Sequence, residues 1–280
     1  MTPASQTSFA QLNGISVAYT DTHDGGDAPT LLLIHGHPFN RSMWTPQVAA
    51  ATAAGYRVIV PDLRGYGETS VVPGVTTLDV FARDLAALLD RSGVDRVVVG
   101  GLSMGGQIVM EFFRLFPERV AGVVLADTFP RAEDAAGKAF RNSVADRLLA
   151  EGMAGYADEV IDRMIAPATI AEQPDVAEHV LGMMRSTAAE GAAAALRGRA
   201  ERPDYCELLT RIEVPALVVV GADDVYTPVS DAEFMHGQLP DSTLVVIPGT
   251  GHMPNLERVE QFNTALSAFL LGLKAADGTT

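Results

Sequence analysis

Short apolar runs alternate along most of this chain with longer segments in which apolar residues recur every three or four positions. The runs have the length of buried strands, and the longer segments have the spacing of amphipathic helices. Strands are predicted near 15–20, 30–34, 57–61, 95–100, 121–126, 215–220 and 243–247. Helices are predicted over 44–54, 78–92, 104–116, 228–238 and 256–273. This alternation predicts an α/β fold with a mostly parallel central sheet and helices on both faces.

The alternation breaks between residues 130 and 210, where the pattern is helical throughout. Apolar residues there recur at intervals of four, as in Phe140, Val144 and Leu148. We therefore predict a helical cap at 130–210, inserted into an α/β core that residues 1–129 and 211–280 form together. A cap over an active site excludes water and restricts the size of the substrate.

Composition and charge narrow the possible partners. The 280 residues are 48% hydrophobic, which is enough for one large core. With a net charge of −15 there is no basic stripe to neutralise phosphates, so we expect neither a nucleic-acid nor a membrane partner. Cys206 is the single cysteine, so no disulfide can form within the chain. Met1–Gly14 is polar and lacks the apolar core of a signal peptide, which predicts a cytoplasmic protein.

Candidate chemistry begins at Ser103, in the sequence Gly-Leu-Ser-Met-Gly that directly follows a β-branched run. A strand that runs into G-x-S-x-G and then a helix is typical of a nucleophile elbow. A side chain at Gly101 or Gly105 would collide with the backbone where the chain reverses. The pattern alone also fits an ordinary glycine-rich turn with a surface serine, so its partners decide the interpretation.

His252 is the predicted general base, because it lies in a Gly- and Pro-rich loop after the last predicted strand. A serine hydroxyl is a weak nucleophile and needs a base whose pKa is near the working pH.

The imidazole needs a carboxylate to orient it, and the chain offers three candidates. Asp224 lies three residues after Gly221 and four before a proline, as the acid does in comparable loops. Its neighbour Asp223 is better suited to the turn itself. Asp127, at the end of another predicted strand, remains an alternative acid.

The predicted oxyanion hole combines two backbone N–H groups. One is the amide of Met104, which follows the nucleophile. The other comes from the loop after the strand at 30–34, where the donor is His37 or, as an alternative, Phe39, because Pro38 has no N–H.

These segments together resemble those of α/β-hydrolase-fold serine hydrolases. The matching pieces are His35–Pro38, Asp62–Gly67, the elbow at 101–105, Gly221–Pro228 and Gly251–His252. The order serine, aspartate, histidine along the chain is the order of that fold. The elbow is similar to that of carboxylesterases and 3-oxoadipate enol-lactonase-like proteins, and the loop at 35–38 is similar to that of cofactor-free haloperoxidases, which are perhydrolases.

The resemblance implies hydrolysis of a carboxylic ester or lactone of a small, mainly apolar substrate through an acyl-enzyme, without cofactor or metal. The pocket walls are predicted from four aromatic side chains that flank the catalytic loops: Phe39, Trp44, Phe129 and Tyr226. Perhydrolysis on the same residues is one alternative, and a slow-turnover small-molecule receptor is another. The only partner expected is the small-molecule ester or lactone.

Overall fold

The computed structural model describes residues 7–277, whose strands form one eight-stranded sheet. The strands are β1 (Ser8–Leu12), β2 (Ile15–Asp21), β3 (Thr30–Ile34), β4 (Arg57–Pro61), β5 (Val97–Leu102), β6 (Val120–Ala126), β7 (Ala216–Gly221) and β8 (Ser242–Ile247). Their order across the sheet is β1-β2-β4-β3-β5-β6-β7-β8. The pairs β1–β2 and β2–β4 are antiparallel, and the remaining neighbours are parallel. The predicted mostly parallel sheet is confirmed.

Helices connect most of the strands, and two more helices follow the last strand. They are α1 (Thr45–Ala53), α2 (Leu78–Arg91), α3 (Met104–Leu115), α4 (Ala135–Glu151), α5 (Ala154–Met164), α6 (Pro167–Glu172), α7 (Pro174–Ser186), α8 (Ala189–Ala200), α9 (Cys206–Leu209), α10 (Val229–Gln238), α11 (Pro254–Glu257) and α12 (Val259–Asp277). The helix predicted at 256–273 is in fact two helices, which are separated at Arg258.

The strand β1 was missed by the sequence prediction, because its side chains are mostly polar or partly exposed. A hairpin signal was nevertheless present. Asn13 and Gly14 both have positive φ, of 48° and 78°, as the two central residues of a tight hairpin turn require.

The sheet separates two apolar layers, because successive side chains of a strand point to opposite faces. In β3, Leu32 and Ile34 pack in one layer with α2 and α3, whereas Leu31 and Leu33 pack in the other with α1 and α12. All four leucine and isoleucine side chains are buried. The carboxyl ends of the parallel strands are thereby held at one edge of a rigid frame, where ligands bind in such folds.

Six helices, α4–α9, lie between β6 and β7, which matches the helical pattern predicted for 130–210. Part of this insertion has its own apolar cluster, formed by α4 and α8. Its end is continuous with the main core, because Tyr205, Leu208 and Leu209 pack there. The division into a core and a separate cap stays a prediction.

No helix within residues 7–277 has the length and apolar character needed to cross a membrane. The cytoplasmic location stays a prediction.

Candidate active site

Ser103 forms the junction between β5 and α3, in a backbone conformation that few non-glycine residues adopt. Its φ is 58° and its ψ is −116°, and its amide donates to the carbonyl of Ala126 at 2.9 Å. A Cβ at Gly101 would overlap the backbone of Gly105, and one at Gly105 would overlap the carbonyl of Ile34. The turn is thus as crowded as the sequence predicts, and strain of this kind is often found at functional sites.

His252 and Asp224 are joined by a hydrogen bond of 2.7 Å between Nδ1 and Oδ2. The other carboxylate oxygen of Asp224 accepts from the amide of Tyr226 at 2.8 Å, and Thr227 donates its hydroxyl to Oδ2. Because a carboxylate can only accept, this network assigns the proton of the neutral imidazole to Nδ1 and leaves Nε2 as the basic nitrogen.

The electrostatics of Asp224 favour the ionised form that this network requires. Burial alone would raise the pKa of Asp224, but the charge and hydrogen bond of His252, with the bonds from Thr227 and Tyr226, hold it below its usual value. Both side chains are buried. An ionised, fixed carboxylate can stabilise an imidazolium as it forms.

Asp127 lies beside this pair without bonding to the imidazole. Its Oδ1 accepts from the amide of Gly221 at 2.8 Å, and its buried Oδ2 has no hydrogen-bond partner among the described residues. Burial and then the charge of Asp224 raise the pKa of Asp127 well above its usual range. Among the candidate acids, the structure therefore joins Asp224 to His252 and gives Asp127 the character of a neutral neighbour.

Asp127, Asp224 and His252 are the one group of metal-type ligands found within residues 7–277, with ligand atoms within 4.8 Å of one another. Two of those atoms are already joined by the His252–Asp224 hydrogen bond. We therefore interpret the group as an acid–base cluster. The expectation that no metal or cofactor is needed stays a prediction.

The loop of the predicted oxyanion hole is braced by two histidines and Tyr66. His35 Nε2 accepts from the amide of Leu63 at 3.0 Å, so its Nδ1 carries the proton donated to the carbonyl of Gly36. His37 Nδ1 lies 2.8 Å from the hydroxyl of Tyr66. Burial foremost, and then the charge of Arg199, hold the pKa of His37 well below its usual value. These bonds hold the loop in place, and the lowered pKa of both histidines favours their neutral forms.

The amide of Met104, the second predicted donor, belongs to the first residue of α3. The first N–H groups of a helix have no carbonyl one turn back to bond. This amide, like that of His37, is a backbone group of the kind an oxyanion hole uses.

A cavity of about 350 Å³ opens beside Ser103 and His252. Of the four aromatic residues predicted for its walls, Phe129 and Tyr226 line it. Phe39 and Trp44 do not, because both are fully buried in the apolar layer behind the loop, where Trp44 packs on Phe262. They flank the catalytic loops in sequence, but their side chains turn toward the core.

Sequence reasoning missed the charged part of the cavity wall. Four arginines and two glutamates line it: Glu133, Arg141, Arg147, Glu159, Arg163 and Arg199. Each sits in or next to a helix of the insertion, where charged residues ordinarily face solvent. Only the tertiary arrangement turns them toward Ser103.

Glu257 was also missed, although it holds the loop of His252 in place. Its Oε1 accepts from the amides of Gly251 and Met253, and its Oε2 accepts from the amide of Ala166 and the hydroxyl of Thr169. These bonds join the His252 loop to α6. A glutamate in the segment that follows the predicted general base was the signal that the sequence offered.

The sheet order and the strand–serine–helix turn place the chain in the α/β-hydrolase class, and sequence comparison agrees. Residues 29–259 match the family described as alpha/beta hydrolase fold, so the chain belongs to that family. The resemblance inferred from its motifs is confirmed.

Three relatives illustrate what the chain is similar to. It is 31% identical to 3-oxoadipate enol-lactonase 2 of Acinetobacter baylyi, over 89% of this chain and 91% of that protein. It is 39% identical to a thermophilic esterase from Thermogutta terrifontis, with a TM-score of 0.90 over 96% of this chain and 99% of the esterase. It is 31% identical to a putative non-heme bromoperoxidase of Mycobacterium tuberculosis, over 93% of this chain and all of that protein.

Proposed function

We propose that this protein is a serine hydrolase that cleaves a carboxylic ester or lactone of a small substrate with a mainly apolar body, through an acyl-enzyme. The observation that carries the proposal is the buried hydrogen bond between Asp224 and His252, a histidine that lines the same cavity as Ser103. The similarity to an enol-lactonase and an esterase supports the same reaction class.

In the first half of the reaction, Nε2 of His252 takes the proton of Ser103 as the serine oxygen attacks the ester carbonyl. The amides of Met104 and His37 hold the oxyanion of the tetrahedral intermediate. The imidazolium, which Asp224 stabilises, then gives its proton to the departing alcohol oxygen.

In the second half, His252 takes a proton from water, and the resulting hydroxide attacks the acyl-enzyme carbonyl. The same amides hold the second oxyanion, and His252 returns its proton to Ser103 as the acid departs. For a lactone the alcohol and the acid belong to one molecule, so ring opening gives a hydroxy acid or, from an enol lactone, an oxo acid.

The direct test is Ser103→Ala, assayed on p-nitrophenyl esters from acetate to octanoate and on a set of lactones. We expect a loss of roughly a million-fold in kcat, since removal of the nucleophile of a comparable triad costs that much. The circular dichroism and melting temperature should stay close to those of the unsubstituted protein.

Ser230→Ala, an exposed serine on α10, is the matched control and should keep full activity. Near-normal turnover by a clean Ser103→Ala preparation would overturn the proposal. Turnover by the unsubstituted enzyme on the order of 1–1000 per second would also exclude the slow receptor.

Perhydrolysis is a second candidate, supported by the similarity to the putative bromoperoxidase. In that reaction hydrogen peroxide replaces water as the nucleophile that attacks the acyl-enzyme. Its test is peracid formation from a short carboxylic ester and peroxide, compared with hydrolysis of the same ester.

A further inference from the structure

The cavity beside Ser103 carries an excess of positive charge, although the whole chain has a net charge of −15. Its wall includes four arginines but only two glutamates. Charges that converge on a cavity with low-dielectric walls raise the local concentration of ligands of opposite sign.

Three of the four arginines in the wall have carboxylate partners. Arg141 binds Glu133 at 2.6 Å, and Arg202, just outside the wall, binds the same glutamate at 2.8 Å. Arg147 pairs with Glu159, and Arg163 lies 3.8 Å from that carboxylate. Both glutamates of the wall are thereby engaged.

Of the four arginines in the wall, Arg199 is the one that has no carboxylate partner among residues 7–277. Only 6% of it is exposed, and its Nε donates to Oε1 of Gln107 at 3.0 Å. Its two terminal nitrogens have no hydrogen-bond partner among the described residues, and the side chain lines the cavity. Burial, and then the charges of Arg141 and Arg202, hold the pKa of Arg199 well below its usual range. Arginine remains charged in proteins, so this guanidinium lacks a counterion.

The bond to Gln107 places Arg199 close to the nucleophile. Gln107 follows Ser103 by four residues on α3, which is about 6 Å along a helix axis. Arg199 and Ser103 both line the cavity.

A second residue of the same cavity wall, His37, has a buried nitrogen without a partner, its Nε2. The hydroxyl of Tyr66 is a better donor to His37 Nδ1 than to the sulfur of Met104, which lies 4.0 Å away. Nε2 then carries the proton and is a donor. His37 and Arg199 thus both present hydrogen-bond donors to the same cavity.

We propose that Arg199 binds a carboxylate of the substrate, so that the preferred substrates are small esters or lactones that carry a free carboxylate at the end away from the scissile bond. This inference rests on the proposed function and names its substrate class. The planar guanidinium presents two terminal nitrogens as a fork that matches the two oxygens of a carboxylate.

The apolar part of the wall accommodates the rest of such a substrate. Phe129, Val160, Met164 and Leu196 line the cavity between the charged groups. A methylene chain can pack on these side chains while its carboxylate reaches Arg199 and its ester carbonyl reaches Ser103.

The test compares esters matched in chain length that differ only in the terminal group. Monomethyl succinate, glutarate and adipate carry a carboxylate where methyl butanoate, pentanoate and hexanoate carry a methyl group. Each pair is assayed at constant ionic strength with the unsubstituted enzyme, Arg199→Met, Arg199→Lys and the control Arg197→Met. Arg197 lies on the same helix and pairs with the exposed Asp146.

We expect the unsubstituted enzyme to prefer the monoesters. Arg199→Met should lower kcat/KM for the monoesters roughly 10- to 150-fold, the size of a lost charged hydrogen bond, and leave the neutral esters nearly unchanged. Arg199→Lys should recover part of the loss, and Arg197→Met should behave like the unsubstituted enzyme. Equal losses on both ester series, or a preference for neutral esters, would overturn the inference and leave the proposed function standing.

Binding of free glutarate and adipate provides a readout that does not depend on turnover. Calorimetry should detect binding to the Ser103→Ala protein that is lost when Arg199→Met is added. Binding without turnover of any ester would preserve the carboxylate site and refute the proposed function. If Arg199→Met does not fold, the inference is decided on the unsubstituted enzyme, which glutarate must inhibit competitively and butanol at the same concentration must not.

Discussion

Asp127 and Asp224 are two buried carboxyl groups whose different surroundings shift their pKa values in opposite directions. Asp224 receives hydrogen bonds from His252, Thr227 and Tyr226, all of which favour its charged form. Asp127 receives one bond, from Gly221, and faces the charge of Asp224. Two like charges at close range raise the pKa of one of them, so the pair titrates as a unit.

Substitution of the two aspartates should separate their roles in catalysis. Asp224→Asn should lower kcat about 10⁴-fold, because an amide in that position favours the wrong tautomer of His252. Asp127→Asn should cost far less, since an asparagine can accept from Gly221 and tolerates the φ of 43° at this position. Steady-state kinetics of both variants on one ester decides the assignment, and the reverse ranking would move the acid to Asp127.

Asp127→Asn should also change how stability depends on pH. The folded pKa of Asp127 is raised, so its stabilising contribution is complete below the unfolded pKa and is lost as pH rises through the folded pKa. Asparagine does not ionise. The variant should therefore gain in melting temperature relative to the unsubstituted protein as pH rises through that range. A difference in melting temperature between the two proteins that stays constant with pH would show that folding does not raise the pKa of Asp127.

At the scale of elements, the His252 loop depends on contacts with a helix far away in the sequence. Glu257 bonds both to the loop itself and to the start of α6 in the insertion. Burial raises the pKa of Glu257, although the hydrogen bonds it accepts act in the opposite direction. The position of the base is thus linked to the docking of the insertion.

Glu257→Gln should destabilise the protein and slow catalysis together. The amide NH₂ cannot accept, so two of the four donors lose their partner, at about 1–3 kcal/mol for each buried group. Urea unfolding and kcat measure both effects. Glu178→Gln, on the exposed side of α7, should change neither. An unchanged kcat in a clearly destabilised Glu257→Gln protein would show that the bonds of Glu257 stabilise the fold without contributing to catalysis.

At the scale of the whole molecule, α8 is held against the core by glycines that allow backbones to touch. A Cβ at Gly198 would overlap the carbonyl of Thr76, and one at Gly191 would overlap the carbonyl of Gly65. These contacts determine how closely α8 packs against the backbone at Gly65 and Thr76. They therefore also set the position of Arg199, the residue after Gly198.

Gly198→Ala should lower the free energy of unfolding by about 1–3 kcal/mol, as overpacking does when a backbone atom must move. Gly182→Ala is the matched control, because a Cβ at this position on α7 meets nothing within 4 Å. It should raise stability by about 0.5–1 kcal/mol, the difference between alanine and glycine within a helix. Urea unfolding measures both, and equal behaviour of the two variants would contradict the close contact.

The sequence by itself determined the features that depend on neighbouring residues. The apolar pattern indicated seven of the eight strands, and the crowding of Gly101 and Gly105 indicated the turn at Ser103, because both follow from local geometry. The polar edge strand β1 was missed, since its pairing with β2 depends on a turn and not on burial.

Tertiary structure alone decided the relations between residues distant in the chain. Only packing shows that Asp224 bonds to His252 and Asp127 does not, that Trp44 turns to the core, and that Arg199 lacks a carboxylate. Each depends on distances and burial across separate elements. Charge and hydrogen-bond energies are decided by those distances and not by the residue types alone.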